Sequence, residues 1–416
     1  MSQETYSPQD VFIQSYLRPF FRLLLLPYYA VVLTLAVFRA PNEIRWVSSA
    51  VLKQIKVPMD TTARDQAEAI KARVGEMLAD GNLRGIADWL VTAEQTIDET
   101  KGGSRLYQSI VDAALFDQTL TMIEHGELDP PNSLDKVVIP FEDALKQNPD
   151  HHGVAALTAL RHLQVGWTFR GCGFVYEITD KQWQKVGEHY SCAADILSRF
   201  DAEELQSPSL AMAAHQMLAI EGASSKLDAV FELWRRLDPM SVHMFMRHAF
   251  HCLPRWGGSY DKILVDARRL AADTADRWGM AAYALYLIQL SDCEPEILEH
   301  MDFALFEEGV HDLLARRNEP PVVNFWLREL NVFASAIKVQ GNDTEGEADL
   351  RTLAHRLRSH VIRTHLASID PTMWGDDTLP LALIANEFKT DILDGQTIVV
   401  GSDGRLQAVE PEPAPV

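Results

Sequence analysis

The chain of 416 residues has only four cysteines, and no two of them are close enough to form a C-x-x-C motif. A secreted domain built on disulfides usually shows a denser cysteine framework. We therefore expect buried, reduced thiols and a body that faces the cytoplasm. The four residues are Cys172, Cys192, Cys252 and Cys293.

Positive charge is also scarce. The sequence has 38 Lys and Arg against 59 Asp and Glu, a formal net charge of −21 and a pI of about 5.0. Binding to phosphates needs clustered Lys and Arg, so the composition argues against a nucleic-acid partner and favours a basic protein partner. The densest acidic run, from Asp292 to Glu308, predicts a solvated helix face or, alternatively, a docking surface for a basic segment.

Common catalytic signatures are absent from the sequence. It contains no P-loop, no G-x-S-x-G, no H-E-x-x-H and no G-x-G-x-x-G motif. The nearest metal-like group is His243, His248, His251 and Cys252. His248 and His251 share a helix face, but His243 lies about 140° away, and a zinc site needs about four converging ligands. We therefore predict ordinary packing there, with no catalytic residue, no metal and no cofactor.

Only one long apolar run is present, at residues 20–38. Arg22 interrupts it, which leaves an uncharged stretch of 16 residues from Leu23 to Phe38. Such a stretch covers about 24 Å as a helix, against about 30 Å of membrane hydrocarbon. The run predicts either a core or interfacial helix, or a membrane anchor. Bases on its C-terminal side would keep the body in the cytoplasm, so an inner-membrane-anchored protein is the alternative to a cytoplasmic one.

Strand patterns are almost missing until the far C-terminus, and helical periodicity begins near residue 60. Two amphipathic stretches, Thr61–Leu78 and 83–97, are separated by a turn at Gly81 and predict an αα-hairpin. Further helices are predicted over 105–125, 141–149, 260–272, 322–337, 349–366 and 378–392.

Internal similarity indicates the architecture. The segment Ala193–Asp201 resembles Val230–Asp238 at an offset of 37 residues, and Asp266–Thr274 follows at a further 36. Partner helices are predicted between these segments, at 209–220, 241–253 and 278–290. Paired helices repeating every 34 to 40 residues or so are typical of TPR-like solenoids. The predicted fold is therefore all-α, with TPR-like stacked helix pairs in an α-solenoid or a helical bundle.

Near the C-terminus the sequence pattern changes from helical to strand-like. Thr397–Val400 and Arg405–Val409 flank a glycine-containing turn and predict a small β-hairpin. Four regions are expected along the chain. They are the apolar N-terminal segment (1–56), a TPR-like helical domain (57–295), a C-terminal helical region (296–394), and the hairpin with a disordered, acidic, proline-rich tail (395–416).

Two motifs carry a family resemblance. Trp167 to Gly171 fits W-x-x-R-G, and Leu253 to Tyr260, which reads LPRWGGSY, contains a W-G-G-S element. With the helix end Leu237-Asp238-Pro239 between them, they resemble the bacterial family called domain of unknown function 4034, over about residues 75–295. The resemblance implies a TPR-like helical fold and no established activity.

The candidate binding residues come from these motifs. Trp256 precedes two glycines, which allow a tight turn, and Ser259 stands where the following helix needs an N-cap. Arg170 could hydrogen-bond helix-end carbonyls or stack on Trp167. One interpretation is structural packing. The other is a polar groove, including Tyr260, that binds a peptide or a small ligand.

We therefore predict a protein–protein interaction or scaffolding module with a groove built from helices between residues 141 and 290. Its partner would be a protein or peptide, and the acidic composition favours a basic one. The alternative is a small-ligand-binding protein or an enzyme with a pocket near Arg170 and Trp256. Nothing in the sequence indicates an oligomeric state.

Overall fold

The computed structural model describes residues 46–124, 134–171, 177–290, 294–336, 345–374 and 378–410. Over these residues the fold is all-α with a small sheet near the C-terminus, which confirms the predicted fold class. The apolar run at 20–38 and the tail at 411–416 lie outside the described residues. Among the residues that are described, no helix is both long enough and apolar enough to cross a membrane.

The elements follow one another in chain order. The first are α1 (Ser49–Leu52), β1 (Ile55–Lys56), α2 (Thr62–Ala79), α3 (Leu83–Thr96), α4 (Leu106–Leu115), α5 (Gln118–Glu124) and α6 (Ile139–Gln147). The middle of the chain forms α7 (His152–Arg170), α8 (Asp180–Leu197), α9 (Pro208–Leu218), α10 (Ser225–Leu237), α11 (Val242–His251) and α12 (Tyr260–Asp273). The last are α13 (Ala275–Trp278), α14 (Ala281–Leu287), α15 (Phe303–Arg316), α16 (Pro320–Ala336), α17 (Glu345–Thr364), α18 (Pro371–Trp374), α19 (Thr378–Glu387), α20 (Lys389–Leu393), β2 (Thr397–Val400) and β3 (Leu406–Val409).

Two predicted helices are interrupted. The helix expected over 105–125 is divided into α4 and α5, because Phe116 is extended and the Asp117 carboxylate accepts hydrogen bonds from the next helix's Thr119 N (2.9 Å) and Leu120 N (3.3 Å). The helix expected over 378–392 is likewise divided at Phe388. A side-chain cap competes with helix continuation without disturbing the apolar pattern, so periodicity alone does not reveal such breaks.

The chain forms two compact units. The larger one runs from Val57 to Asp376 and includes residues 400–406. At its centre lies α7, which is buried along almost its whole length and packs against α3, α6, α8 and α9. Its small residues permit this crowding. A Cβ atom at Gly153 would lie 2.9 Å from the Ala87 carbonyl oxygen, so only glycine allows α3 to approach this closely.

The second half of the larger unit consists of further packed helices. α14 contacts α11, α12 and α15, and α17 contacts α15 and α16. Their core holds large buried rings, among them Trp234, Trp278 and Trp326. The three mutually similar segments lie at the C-terminal ends of α8, α10 and α12. The sorting of these helices into TPR-like repeats stays a prediction.

A buried ion pair joins distant parts of this unit. Asp238, which follows α10, is fully buried, and Arg105 donates to its carboxylate through Nε (2.9 Å) and Nη2 (2.7 Å). Tyr107 donates its hydroxyl to the same carboxylate at 3.0 Å. The aspartate of the Leu-Asp-Pro helix end therefore fixes the start of α4 against the end of α10.

The smaller unit contains α1, β1, α19 and α20 with most of β2 and β3. β1 pairs with β2 in parallel, with Ile55 opposite Ile398 and Lys56 opposite Val399. The strand order is β1-β2-β3, so the predicted hairpin is confirmed and gains a third strand. A strand of two residues shows no alternation, which is why the sequence does not indicate β1.

Candidate functional site

The two family-like motifs meet in space. Trp167 near the end of α7 and Trp256 after α11 have ring centroids 5.6 Å apart. The guanidinium of Arg170 lies over both rings, 5.1 Å from the centroid of Trp167 and 5.2 Å from that of Trp256. Arg170 also donates to the Gly171 carbonyl oxygen at 2.9 Å, at the end of its own helix. Both expectations for Arg170, stacking and capping, are therefore confirmed.

The Trp-Gly-Gly-Ser element shapes the chain between α11 and α12. Gly257 has φ +78°, a conformation that favours glycine, and a Cβ atom at Gly258 would clash with the carbonyl oxygen of Cys252. Ser259 caps α12, accepting a hydrogen bond from Lys262 N at 3.1 Å, as predicted. Tyr260 donates its hydroxyl to Glu294 Oε1 at 3.1 Å. These neighbours thus perform structural tasks, while Trp167, Arg170 and Trp256 form one cluster.

The Trp167 ring lines a large concave groove in the larger unit. The groove has a volume of about 830 Å³ and is bounded by side chains of α4, α7, α9 and α11. Its apolar lining includes Leu115, Trp167, Met212, Met246 and Phe250. Helices from distant parts of the sequence thus provide one continuous surface, which also reaches Gln289 and Arg328.

Several polar side chains also line this groove. Arg247 on α11 donates from Nε to His243 Nε2 at 3.1 Å and from Nη1 to Gln216 Oε1 at 3.2 Å. Asp112 on α4 lines the same groove and interacts electrostatically with Arg247. Gln108 donates to Ser241 Oγ at 3.1 Å and keeps its amide oxygen as an acceptor. The groove therefore offers hydrogen-bond donors and acceptors beside apolar surface.

Two titratable side chains of the groove, Asp112 and His243, are exposed to solvent but are surrounded by protein on the remaining sides. The surrounding protein raises the pKa of the Asp112 carboxyl by desolvation, and the nearby Arg247 partly offsets this. Desolvation and then the Arg247 charge lower the pKa of His243 to about 3. Because its Nε2 accepts the Arg247 hydrogen bond, neutral His243 carries its proton on Nδ1. A polar group of a partner would therefore meet side chains whose orientation is already held by hydrogen bonds.

A second cavity continues from the groove. Its volume is about 290 Å³, and it shares Gln108, His243 and Met246 with the groove lining. Three methionines contribute to its walls, at positions 240, 246 and 373, together with the ring of Phe325. Methionine side chains are flexible and polarisable, so they adapt to apolar groups of different shapes. The cavity can therefore receive an apolar side chain from an occupant of the groove.

The histidine–cysteine group noted in the sequence separates in space. His243 faces the groove, whereas the buried side chains of His248 and Cys252 form a cluster with the partly buried Asp228 and Asp266. No spacing in the sequence links the two aspartates to this cluster, because they lie on the neighbouring helices α10 and α12. Burial raises the pKa of the Cys252 thiol to about 11, which disfavours a nucleophilic role.

The two cysteines that the structure describes differ in exposure. Both are free thiols; Cys252 is buried as predicted, but Cys192 on α8 is exposed, so the prediction for Cys192 is wrong. The buried residues of α8 are Val186, His189, Ala193 and Leu197, and position 192 lies outside this face, next to the exposed Ser191.

Part of the acidic run is engaged within the chain. Glu294 forms an ion pair with Arg255 and accepts from Tyr260. Asp302 caps α15, and Glu307 forms an ion pair with Arg356. These carboxylates stabilise helix starts and contacts, which reduces the charge that the run offers to a basic partner.

Comparisons of the chain with protein-family models, with curated proteins and with solved structures give no match. The resemblance to domain of unknown function 4034 therefore stays a prediction that rests on its motif residues. The function has to be argued from the geometry of the groove.

Proposed function

We propose that this protein is an interaction module that binds an extended peptide segment of a partner protein in the groove of its larger unit. The observation that carries the proposal is the groove itself, about 830 Å³ in volume and lined by both polar and apolar side chains. A peptide backbone presents both N–H donors and carbonyl acceptors, and side-chain amides such as those of Gln108 and Gln216 can serve either.

The adjoining cavity supports a peptide with an apolar anchor. One large side chain entering the methionine-lined space, with the flanking backbone on the amides, would use both features together. The groove lining contains the carboxylates of Asp112, Asp117 and Glu329 and the guanidinium groups of Arg247 and Arg328. These mixed charges favour a segment of moderate charge in the groove, so a strongly basic partner would rely on the acidic chain as a whole.

The alternative is a small-ligand or enzyme pocket near Arg170 and Trp256. No observation favours it over the groove, since the Arg170 guanidinium already covers the Trp167 and Trp256 ring faces. Trp167 also lines the groove, so a peptide and a small ligand would compete at this end.

Selection from a random peptide library, with the full-length chain as bait, tests the proposal. Enriched peptides should share an apolar anchor and lose at least about tenfold in affinity for Met246→Lys, because the new charge would be buried in the cavity wall. Val265→Lys is the matched control, since Val265 on α12 is 63% exposed and absent from the groove lining. Enriched peptides that bind Met246→Lys as tightly as the wild type would refute the proposal.

The cellular location also stays a proposal. We propose that the described part of the chain lies in the cytoplasm. The free thiols of Cys192 and Cys252 support this, because cysteines in the cytoplasm stay reduced. The run at 20–38 is tested by alkaline washing of host membranes, with the full-length chain compared with a chain that begins at Trp46. That start preserves α1 and β1, which belong to the smaller unit. Retention of the full-length chain alone identifies an anchor; release of both excludes one.

A further inference from the structure

Four side chains with metal-binding atoms converge from three successive helices. Asp228 lies on α10, His248 on α11, Cys252 directly after α11, and Asp266 on α12. One donor atom from each lies within 4.8 Å of those of all the others. His248 and Cys252 are four residues apart, so they project from the same face of their helix toward the two carboxylates.

Two of the separations between these donor atoms match those in a metal coordination shell. His248 Nε2 lies 3.4 Å from Asp228 Oδ1 and 3.7 Å from Cys252 Sγ. A tetrahedral zinc ion, with bonds of about 2.0–2.1 Å to N or O and about 2.3 Å to S, places its donor atoms about 3.3–3.7 Å apart. One ring nitrogen cannot form good hydrogen bonds to both neighbours at once, whereas a central ion would satisfy all of them.

We propose that Asp228, His248, Cys252 and Asp266 bind one zinc ion and thereby tie α10, α11 and α12 together. One thiolate, one imidazole and two carboxylates form a donor set that suits zinc, and four protein ligands are typical of a structural site. On binding, the Cys252 S–H bond is replaced by an S–Zn bond and the proton leaves to solvent.

The surroundings of His248 hold it in position for this role. Its Nδ1 lies 3.0 Å from His215 Nε2, and the ring of Phe231 stacks on it at 4.0 Å with an interplanar angle of 4°. Metal-bound histidines usually have a partner on the second ring nitrogen, which fixes the tautomer and the ring orientation. The imidazole is therefore oriented before any ion arrives.

A buried hydroxyl next to the thiol supports the same assignment. Tyr286 is fully buried, and within the described part of the chain its hydroxyl interacts with the side chain of Cys252 and has no other hydrogen-bond partner. A neutral thiol accepts hydrogen bonds weakly, but a metal-bound thiolate would accept one from this hydroxyl.

The charges of the cluster balance when a divalent ion is added. Lys262 Nζ donates to Asp228 at 3.0 Å and to Asp266 at 2.8 Å. Two carboxylates and one ammonium give a net charge of −1, and a divalent ion with the Cys252 thiolate brings the sum to zero. Arg269 lies 3.6 Å from Asp266 Oδ1, but it is closer to the carboxylates of Glu232 (2.9 Å) and Asp273 (3.2 Å), which balance its charge outside the cluster. Lys262 Nζ contacts both oxygens of Asp228 at 3.0 Å. An ionised carboxylate has about four lone-pair sites, so an oxygen can bind the ion and still accept from Lys262. Neutrality matters because an unbalanced buried charge is costly.

An open cavity gives an ion access to the cluster from the side of Asp228. This cavity of about 430 Å³ is lined by Asp228 and Lys262 together with the turn at Gly257, Gly258 and Ser259. The Trp-Gly-Gly-Ser element, whose glycines hold the chain close to Cys252, therefore forms the rim of the route to the metal ligands.

Cobalt(II), a spectroscopic substitute for zinc, tests the site on the full-length protein after treatment with a chelator. One equivalent should produce strong visible bands of tetrahedral cobalt and a thiolate-to-cobalt charge-transfer band, and one equivalent of zinc should remove both. Cys252→Ser should abolish the charge-transfer band and weaken zinc binding by more than the 10- to 100-fold or so that is typical of losing an outer partner. Cys192→Ser, which alters the exposed thiol, should leave both unchanged.

A second variant controls for loss of zinc binding caused by misfolding. Asp228→Asn keeps the shape of the side chain, and its circular dichroism should match the wild type while its zinc affinity falls. Zinc should also raise the melting temperature of the wild type and not that of Cys252→Ser. Absence of the charge-transfer band in the wild type, or its persistence in Cys252→Ser, would overturn the proposal and leave an ion-pair network around Lys262.

Discussion

Removing the carboxylate of Asp238 should destabilise the larger unit strongly. Asp238 is fully buried and accepts hydrogen bonds from Arg105 and Tyr107, two residues more than 130 positions earlier. In Asp238→Ala the Arg105 side chain stays in place, 6% exposed, without its main counter-ion. Leaving one partner of a buried ion pair uncompensated is much more harmful than lacking the pair altogether.

The remaining contacts of Arg105 determine how much free energy of unfolding Asp238→Ala should cost. Loss of one partner of a buried pair costs about 3–5 kcal/mol. Arg105 would keep two other contacts, to Glu99 Oε1 at 2.8 Å and to the Ile97 carbonyl at 3.1 Å. We therefore expect the lower end, about 3 kcal/mol in the free energy of unfolding. Replacing both partners, as in Asp238→Ala with Arg105→Met, should recover part of this loss, because no unpaired charge remains.

Urea unfolding followed by tryptophan fluorescence measures the effect, since the indole N–H of Trp234 donates to the Tyr107 hydroxyl at 3.2 Å and reports on this cluster. Asp201→Ala is the matched control. It occupies the equivalent position of the similar segment at an offset of 37 residues, but it is exposed and should cost about 1 kcal/mol or less. A loss below about 1 kcal/mol for Asp238→Ala, or no recovery in the double variant, would refute the reasoning.

Two further predictions concern single positions. Burial raises the pKa of Glu94 to about 7 from 4.5, so the folded protein binds a proton that the unfolded chain releases, and stability should fall as pH rises from 5 to 8, by about 3 kcal/mol at most. Glu94→Gln should flatten this dependence in urea titrations; an unchanged slope would show that other groups cause it. Gly258→Ala should lower the melting temperature because its Cβ atom would clash with the Cys252 carbonyl oxygen. Gly187→Ala, on α8 with free space around it, should raise the melting temperature; equal effects would contradict the packing argument.

The helices could be predicted from the sequence because their apolar residues recur at helical spacing and their starts carry capping side chains. Ser259 at the start of α12 and Gly81 after α2 are examples. The breaks at Phe116 and Phe388 could not, since they depend on local capping and on packing rather than on periodicity. The two-residue strand β1 forms only because β2, more than 340 positions later, supplies its partner.

The candidate site was predictable in part. The motifs that pointed to Trp167, Arg170 and Trp256 mark residues that do meet. The groove residues Arg247 and Gln216 could not be predicted, because their hydrogen bond joins two helices at positions 31 residues apart and no fixed sequence spacing indicates such a contact. For the same reason, the sequence does not indicate that Asp228 and Asp266 join His248 and Cys252 in one cluster.

The proposed peptide groove is tested most directly by placing a photo-crosslinking side chain at Gln216, on the groove wall, and in a second variant at the exposed position Val265. A peptide selected on the wild-type chain is added, and the crosslinked products are mapped by mass spectrometry. We predict a crosslink from position 216 and none from position 265. A peptide that crosslinks from position 265 and not from position 216 would show that the partner binds elsewhere.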